Sequence, residues 1–209
     1  NDLKLQYSSV YDETENLSYY FSPGRINVIG EHIDYNGGLV FPCAISLGTY
    51  AAVSLREDDT VNLYSGNFPA VGVVSFKLSE VLTKDNLWTD YVKGVVSEIT
   101  KLGHKLDKGF SAYIIGNLPN GASLSSSASL ELLFCEIIRE IHSLELSDLD
   151  LVKISQGAEN NFVGLHCGIM DQFAIGMSKK DHAILLDCAT VSYDYAPLDL
   201  KDNVILILN

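Results

Sequence analysis

The stretch "GFSAYIIGNLPNGASLSSSASLELLFCEIIREIH" at residues 109–142 has the most regular pattern in the chain. It begins with a short apolar run that is typical of a buried strand. A turn of small residues follows and opens into a helix, because apolar side chains then recur every three or four positions on one face. These side chains are Leu130, Leu133, Phe134, Ile137, Ile138 and Ile141. The stretch therefore predicts a strand, a turn and the clearest helix of the sequence.

Short strands are predicted on the amino-terminal side of this stretch. From Gly38 onward, apolar residues alternate or run together between Gly, Asn and Asp breaks in "LVFPCAI", "TYAAVSLRE", "VNLYS" and "VVSFKL". This pattern predicts a predominantly antiparallel sheet region. Residues 1–18 are polar with scattered aromatics, and they predict a loosely held lead-in.

Helical spacing begins at Trp88. The helix that follows is predicted to end at Gly103, since glycine is favoured just after a helix. Its apolar face comprises Val92, Val95, Val96, Ile99 and Leu102. This change of period separates the strand-rich part of the chain from a helix-rich part.

Further helices and strands are predicted in the last third of the chain. Ser147 and Asp150 form a capping-box-like start for a helix that runs to about Val163, before Gly164. A short helix is predicted to begin near Ile169, and "AILLDC" is typical of a buried strand. The final "NVILILN" predicts a core strand without a partner, from which we expect the chain to be a fragment.

Composition limits the class of protein. The chain has 209 residues, of which 47% are apolar and 20% charged, so one folded domain is expected. Strands grouped first and helices grouped later favour an α+β fold over an alternating doubly wound sheet. The net charge of −13 argues against nucleic-acid or anionic-membrane partners, which require clustered cations. A small anion held by backbone N–H groups remains compatible with this charge.

The cysteines and the hydropathy pattern bear on location. Cys43, Cys135, Cys167 and Cys188 lie far apart without a C-x-x-C motif, which favours reduced thiols in a cytosolic protein. No run of about 18 apolar residues and no basic-then-apolar leader occurs, so neither a membrane span nor a secretory signal is supported.

The turn "PNGASLSSSAS" at residues 119–129 is a candidate phosphate site. It lies between a buried strand and a strong helix, where small residues allow close backbone approach and free N–H groups favour an anion. Hydroxyls there can also ligate Mg²⁺ beside phosphate oxygens. An ordinary serine-capped helix is the alternative. The Walker, dinucleotide-binding and protein-kinase motifs are absent from the sequence.

Acidic residues mark a second segment, "GAENNFVGLHCGIMDQF" at residues 157–173. Glu159 and Asp171 are both candidates, because one carboxylate can complete a Mg²⁺ shell with a Ser hydroxyl and another can accept a hydroxyl proton. Solvated helix charges are the alternative for either acid. His166 and Cys167 have no partners at metal-ligand spacing, so structural roles are expected for them.

The stretch "SPGRINVIGEHIDYNGG" at residues 22–38 is a third candidate site. Glu31, His32 and Asp34 offer acceptors and donors suited to the several hydroxyls of a sugar, and Arg25 offers a positive fork for phosphate or carboxylate. A solvated surface turn is the alternative. Three such segments in one chain make purely structural explanations hard to sustain.

These motifs together resemble those of a known family. "GRINVIGEHIDYNGG" resembles the galactokinase signature, and "PNGASLSSSAS" resembles the phosphate loop of the wider superfamily of galacto-, homoserine, mevalonate and phosphomevalonate (GHMP) kinases. "LWTDYVKGV" and "AENNFVGLHCGIMDQF" are similar to further galactokinase segments in the same order. The resemblance runs from about Ser22 to the end. It implies that residues 1–209 form a GHMP-kinase N-terminal domain of the ribosomal protein S5 domain 2-like fold, a mixed, mainly antiparallel sheet packed with helices, without the C-terminal GHMP domain.

The resemblance also implies roles for particular residues. Arg25 would stabilise the transferring phosphoryl group, and Asp171 would receive the proton of the sugar's anomeric hydroxyl. Galactose would be bound by Glu31, His32 and Asp34. The ATP phosphates would be held by Gly121, Ala122, Ser123, Leu124, Ser125, Ser126 and Ser127, Mg²⁺ by Ser127 and Glu159, and the rest of the nucleotide by Ser65 and Trp88.

The implied activity is ATP-dependent phosphorylation of D-galactose to galactose 1-phosphate by a cytoplasmic, monomeric enzyme. Ser123 departs from the family pattern, which usually has glycine there, and would strain the loop if its φ is positive. A galactose sensor that regulates transcription is one alternative, although the serine-rich loop that such sensors lack is complete here. A kinase for another sugar such as N-acetylgalactosamine is the other, although "EHIDYNGG" keeps Asn36 and Gly37 as galactokinases do.

Overall fold

The computed structural model describes residues 2–12, 15–119, 121–201 and 203–206. Most of these residues belong to helices or to the strands of two sheets. In chain order the elements are α1 (Asp2–Ser8), β1 (Ser18–Asn27), a 3₁₀ turn (Asp34–Asn36), β2 (Leu39–Val40), β3 (Pro42–Leu55), β4 (Thr60–Ser65), a second 3₁₀ turn (Pro69–Val71), β5 (Val74–Lys77), α2 (Thr89–Lys101), β6 (Phe110–Gly116), α3 (Ser126–Ile141), α4 (Asp148–Gly157), a π-helix (Ala158–Val163), α5 (Met170–Gly176), β7 (His182–Asp187) and β8 (Ser192–Pro197).

The larger sheet has five strands in the order β1-β3-β6-β4-β5. Its neighbouring strands are antiparallel except for β4 and β6, which are parallel. The smaller sheet has the order β2-β7-β8 and is antiparallel throughout. This architecture confirms the predicted α+β fold with a mixed, mainly antiparallel sheet packed with helices.

The main core lies between the larger sheet and helices α2 to α5. Leu63 and Phe110 from the sheet and Phe134 and Ile137 from α3 are completely buried there. The rings of Phe110 and Phe134 stack with centroids 6.1 Å apart. Burying one side chain of this size stabilises the fold by about 1.5–3 kcal/mol, so the apolar face of α3 is a major source of stability.

The strands predicted from alternation are present, with two differences. "LVFPCAI" and "TYAAVSLRE" join into β2 and the single long strand β3. β1 and β8 were not predicted. β1 contains Pro23 and Gly24, which weaken a strand signal, and it forms the edge of its sheet, where proline is tolerated.

The start of α3 is tied to the sheet by a buried hydroxyl. The Ser129 Oγ atom lies 2.9 Å from the Ser22 carbonyl oxygen, to which it donates, and 2.9 Å from Thr49 Oγ1. Both contacts are shielded from water, and a net hydrogen bond contributes about 1 kcal/mol. They set the first turn of α3 directly against β1 and β3.

The predicted loose lead-in is wrong for residues 2–8, which form α1. Tyr7 is fully buried on the face of the sheet opposite the main core, where it packs with Ala52 and Tyr113. Its hydroxyl lies 2.6 Å from Ser54 Oγ. A helix this short has too few residues to show a period, and its stability comes from this packing.

Two other expectations needed correction. Leu102 lies just beyond α2 and is 60% exposed, so it does not belong to the buried face, although Gly103 ends the helix as predicted with a φ of 91°. Residues 203–206 form no strand, and Val204 is 86% exposed. The remaining residues of the predicted terminal strand, 207–209, lie outside the described part of the chain.

The predicted capping box at the start of α4 is confirmed. The Asp150 N–H donates to Ser147 Oγ at 3.2 Å, and the Ser147 N–H donates to the Asp150 carboxylate at 2.9 Å. The helical path continues past α4 as the π-helix and ends at Gly164, whose φ of 84° is left-handed. The predicted helix to about Val163 is therefore confirmed. Its last six residues form a π-helix instead of an α-helix, which the sequence did not indicate.

We expect Tyr7→Ala to lower the free energy of unfolding by about 3–5 kcal/mol, because the substitution leaves a cavity between α1 and the sheet. Urea denaturation followed by circular dichroism measures the change. Tyr19→Ala is the matched control, since Tyr19 is exposed and should shift the value by less than about 0.5 kcal/mol. Equal stability of the Tyr7→Ala variant and the wild type would show that α1 is not part of the folded core.

Candidate active site

The three motifs meet at one open cleft of about 670 Å³. Its lining comes from β1, from the turn between β1 and β2 at residues 28–38 (the signature turn), from the loop before α3 at residues 117–125 and from the starts of α3 and α5. The residues are Arg25, Glu31, His32, Leu118, Pro119, Gly121, Ser123, Leu124, Ser125, Ser126, Ser127 and Asp171. A smaller adjoining cavity of about 190 Å³ shares Ser126 and Ser127 and is also lined by Ser65 and Trp88. Residues far apart in the sequence therefore form one continuous site.

A bulge in β1 places Arg25 against the loop before α3. The pairing of β1 with β3 shifts register between Pro23 and Arg25. A Cβ atom on Gly24 would lie 2.8 Å from the Leu124 carbonyl oxygen, so only glycine allows this approach. The Arg25 N–H then donates to that same oxygen at 3.2 Å.

Arg25 and Asp171, which both line the cleft, form a close ion pair. Arg25 Nε and Nη2 lie 2.8 and 2.7 Å from Asp171 Oδ1. Arg25 Nη1 also donates to the Ser123 carbonyl oxygen at 2.5 Å. The Asp171 side chain remains 31% exposed, so its carboxylate is held in place yet open to the cleft.

Ser125 contributes to the same cluster rather than to a helix cap. It occupies the N-cap position of α3, but its side chain makes no capping hydrogen bond. Its hydroxyl instead donates to Asp171 Oδ2 at 2.5 Å. The alternative of an ordinary serine-capped helix is therefore wrong.

The loop before α3 has an alternating backbone. Gly121, Ser123 and Ser125 all have left-handed φ values, of 75°, 52° and 60°. The condition under which Ser123 would strain the loop, a positive φ, is therefore met. Alternation of this kind turns backbone N–H groups toward a common concave side, where they bind anions. The first turn of α3 adds further free N–H groups and the positive end of the helix dipole.

Only some residues of the signature turn line the cleft. Glu31 and His32 line it, and Glu31 accepts a hydrogen bond from Asn27 Nδ2 at 3.3 Å. Asp34 lies outside the lining residues, at the start of a 3₁₀ turn. There it packs against Gly168, since a Cβ atom on that glycine would lie 2.1 Å from Asp34 Oδ2.

Glu159 lies behind Ser127, on the π-helix. It is 7% exposed, and burial raises the pKa of its carboxyl group while hydrogen bonds from Ser127, Cys167 and Gln172 lower it. The Ser127 hydroxyl and the Glu159 carboxylate are both hard oxygen donors, a pair that suits Mg²⁺. Within the described residues, no cluster of three or more His, Cys, Asp or Glu side chains has metal-binding geometry.

Cys167 and Gln172 support Glu159. The Gln172 amide donates from Nε2 to Glu159 Oε2 at 2.7 Å, and Cys167 Sγ lies 3.5 Å from the same oxygen. Burial raises the pKa of Cys167 to about 12, so it remains a thiol that can donate this bond. Sequence reasoning expected a structural role for Cys167 and missed Gln172, which has no motif signal of its own.

Glu131 was also missed, because it lies within the apolar spacing of α3. It is completely buried and accepts a hydrogen bond from Ser155 Oγ at 2.8 Å. Burial, together with the nearby Glu159 charge, raises its pKa from the ordinary 4.5 to about 9. The titratable side chains that face it are Tyr91, Cys135, Glu159, Cys167 and Asp171.

Two family models match the chain. The galactokinase galactose-binding signature matches residues 5–55, and the GHMP kinases N terminal domain matches residues 90–179. The crystal structure of Lactococcus lactis galactokinase complexed with galactose superposes with a TM-score of 0.93 and 47% identity, over 96% of this chain and 52% of that one. Methanococcus jannaschii mevalonate kinase, at 17% identity and a TM-score of 0.71 over 90% of this chain and 57% of that one, shares the fold. Fold and site together define a GHMP kinase N-terminal domain.

Curated relatives show which family of GHMP kinases the chain resembles. Galactokinase of Lactiplantibacillus plantarum is 53% identical over 210 residues, which cover 100% of this chain and 54% of that protein. Galactokinase of Bacillus subtilis is 48% identical over 209 residues, with the same two coverages. The chain belongs to the galactokinase family. It spans about half the length of the curated relatives it matches.

Within the residues that the structure describes, no helix combines the length and the apolar character needed to cross a bilayer. The four cysteines are free, with Cys43 and Cys135 buried and the other two partly buried.

We expect Glu131→Gln to change the pH dependence of thermal unfolding. The folded protein keeps the Glu131 proton up to a pKa of about 9, whereas the unfolded chain releases it near the ordinary 4.5. The folded state therefore binds the extra proton in this interval, and the wild type loses stability as the pH rises from about 5 to 9. Glutamine has no such proton, so the melting temperature of the variant should rise relative to that of the wild type as the pH increases.

Differential scanning fluorimetry across this pH range measures the effect. Glu136→Gln is the matched control, because Glu136 is on the same helix but partly exposed and paired with Arg139. A melting curve for Glu131→Gln that stays parallel to the wild type at every pH would contradict a neutral Glu131.

Proposed function

We propose that the protein containing this chain is a galactokinase, which transfers the γ-phosphoryl group of ATP to the anomeric hydroxyl of D-galactose. The observation that carries the proposal is the Arg25–Asp171 pair, held by Ser125 at the mouth of an anion-binding loop and beside Glu31 and His32. The identity of about half of all residues with curated galactokinases supports the choice of sugar.

Asp171 is the proposed proton acceptor. Its Oδ2 accepts from Ser125 and its Oδ1 from Arg25, so the carboxylate has a fixed orientation toward the cleft. Phosphoryl transfer through a loose transition state depends mostly on positioning and charge stabilisation. We infer that Asp171 orients the anomeric hydroxyl and accepts its proton, while the Arg25 guanidinium stabilises the negative charge of the transferring group.

The loop before α3 is the proposed phosphate site. Its alternating backbone and the α3 N-terminus supply N–H groups for the ATP phosphates, and Ser65 and Trp88 in the adjoining cavity are proposed to hold the rest of the nucleotide. The proposed phosphate-binding residues are Gly121, Ala122, Ser123, Leu124, Ser125, Ser126 and Ser127.

Ser127 and Glu159 are the proposed ligands of Mg²⁺. Both supply oxygen donors, and they are already joined by a hydrogen bond. When bound, the ion would neutralise charge on the ATP phosphates. Few protein ligands are expected for Mg²⁺, because it keeps several waters and binds substrate phosphates.

The signature turn is the proposed sugar site. Glu31 and His32 line the cleft and can hydrogen-bond sugar hydroxyls, and Asp34 lies against Gly168 on the same side as α5. We propose that all three contact galactose.

Residues 1–209 are proposed to form the N-terminal GHMP domain of this enzyme, with a C-terminal GHMP domain beyond them. ATP and D-galactose are the proposed small-molecule partners. A cytoplasmic location and a monomeric state stay predictions.

We expect Asp171→Asn in the full-length protein to lower kcat by about a hundredfold to ten-thousandfold, because the amide cannot accept the hydroxyl proton. Galactose binding measured by isothermal titration calorimetry should persist, since the amide retains a hydrogen-bonding oxygen. Near-normal turnover of this variant would overturn the assignment of Asp171.

An ATP-consumption assay of the full-length protein with galactose, N-acetylgalactosamine, arabinose and mevalonate tests the substrate. We expect turnover to be fastest with galactose. Turnover with N-acetylgalactosamine alone would identify the kinase for that sugar. Binding of galactose and ATP without turnover would instead favour the transcriptional sensor.

A further inference from the structure

A buried ion pair at the start of α2 holds the loop before that helix, at residues 78–88. Lys93 is 4% exposed and Asp90 is 2% exposed, and Lys93 Nζ lies 3.9 Å from Asp90 Oδ1. Removing two charges from water is costly, and replacing such a pair by apolar side chains is often neutral or stabilising. Stability alone therefore does not account for the pair, and its contacts indicate what it holds.

Both side chains of the pair bind the backbone of the loop before α2. Lys93 Nζ donates to the Thr83 carbonyl oxygen at 3.1 Å and also pairs with the Asp85 carboxylate. The Asp90 carboxylate accepts from the Asp85 N–H at 3.0 Å and from the Asn86 N–H at 2.7 Å. Asn86 has a left-handed φ of 61°, which a residue other than glycine keeps only where its surroundings hold it. The pair supplies those contacts.

Trp88 lies at the end of this loop and lines the cavity of about 190 Å³ beside the cleft. It occupies the N-cap position of α2, but its side chain makes no capping hydrogen bond. Its ring nitrogen Nε1 is buried and has no hydrogen-bonding partner among the residues that the structure describes. The direction of the indole ring is therefore set by packing and by the path of the backbone that leads to it.

We propose that Lys93 and Asp90 are positioning residues, which fix the loop before α2 so that Trp88 forms a wall of the nucleotide site. The inference rests on the proposed function only in taking Trp88 as a nucleotide contact. Neither Lys93 nor Asp90 is among the described residues that line the cleft or the adjoining cavity. They act on the nucleotide through Trp88.

The ion pair suits this task because its contacts are directional. Hydrogen bonds to charged groups have a defined geometry, whereas apolar packing has little directional preference. The helix that carries the pair is itself anchored, since Val92 and Val95 are completely buried in the main core. Stacking of a base on an aromatic side chain contributes about 5- to 150-fold in affinity. A displaced Trp88 should therefore weaken ATP binding and leave the galactose contacts unchanged.

The test is steady-state kinetics of the full-length protein, with ATP and galactose varied separately. We expect Lys93→Met, which keeps the aliphatic stem but loses the ammonium group, to raise the KM for ATP about five- to tenfold. The kcat and the KM for galactose should stay within about twofold of the wild type, because only nucleotide binding is affected. Asp85→Asn changes a half-exposed partner of Lys93 and should shift the KM for ATP in the same direction if Lys93→Met does not fold. Lys101→Met is the matched control, since Lys101 is exposed on the same helix and also forms an ion pair.

A double variant tests whether Lys93 acts through Trp88. Binding of a non-hydrolysable ATP analogue, measured by isothermal titration calorimetry, should be no weaker in Trp88→Ala with Lys93→Met than in Trp88→Ala alone. Asp85→Asn replaces Lys93→Met in this comparison if that variant does not fold. Additive losses of affinity would overturn the positioning role.

The remaining outcomes separate this inference from the proposed function. A normal KM for ATP in Trp88→Ala would remove the nucleotide role of Trp88, and the inference with it. A raised KM for ATP in Trp88→Ala but a normal one in Lys93→Met and Asp85→Asn would overturn the positioning role alone. An equal rise in the KM for ATP and for galactose in Lys93→Met would show a general loss of structure, which would also overturn it.

Discussion

The ion pair between Arg25 and Asp171 is the contact on which the rest of the site depends. Its partners are 146 positions apart in the chain, so it forms only if the sheet and the helices are both in place. β1 must bulge at Gly24, α5 must begin at Met170, and the loop before α3 must expose a carbonyl and a hydroxyl toward the pair. The Ser129 hydroxyl donates to the Ser22 carbonyl oxygen and so holds the start of α3 against β1.

The same pair explains how a strained loop keeps its shape. A non-glycine residue in the left-handed region costs about 1–2 kcal/mol, and the loop has two of them, Ser123 and Ser125. Ser123 accepts from Arg25, and Ser125 donates to Asp171. Hydrogen bonds to charged groups contribute about 1.5–3 kcal/mol each, enough to offset the strain. The loop therefore keeps its alternating backbone through contacts within the chain.

Much of the fold was predictable because the helices and central strands bury one face, and burial leaves a period in the sequence. The face of α3 shows such a period, while the buried strand β6 is a continuous apolar run and the capping box at Ser147 is a short polar motif, and all three signals are local. Elements that are stabilised by contacts with residues far away in the chain leave no local signal of this kind in the sequence. α1 is about two turns long and is held by Tyr7. β1 is an edge strand interrupted by Pro23 and Gly24, and the π-helix at Glu159 differs from an α-helix only in its hydrogen bonds.

The sequence by itself determined which chemical groups the site contains, because the motifs that carry Arg25, Glu31 and Asp171 are local and their residue types suit phosphate and sugar. Only the tertiary structure decided what those groups contact. It turned Ser125 from a helix cap into a partner of Asp171, set Asp34 against Gly168, and placed Glu131 beside Gln172. The physical reason is that hydrogen bonding and burial depend on distances between atoms far apart in the chain, which no local pattern records.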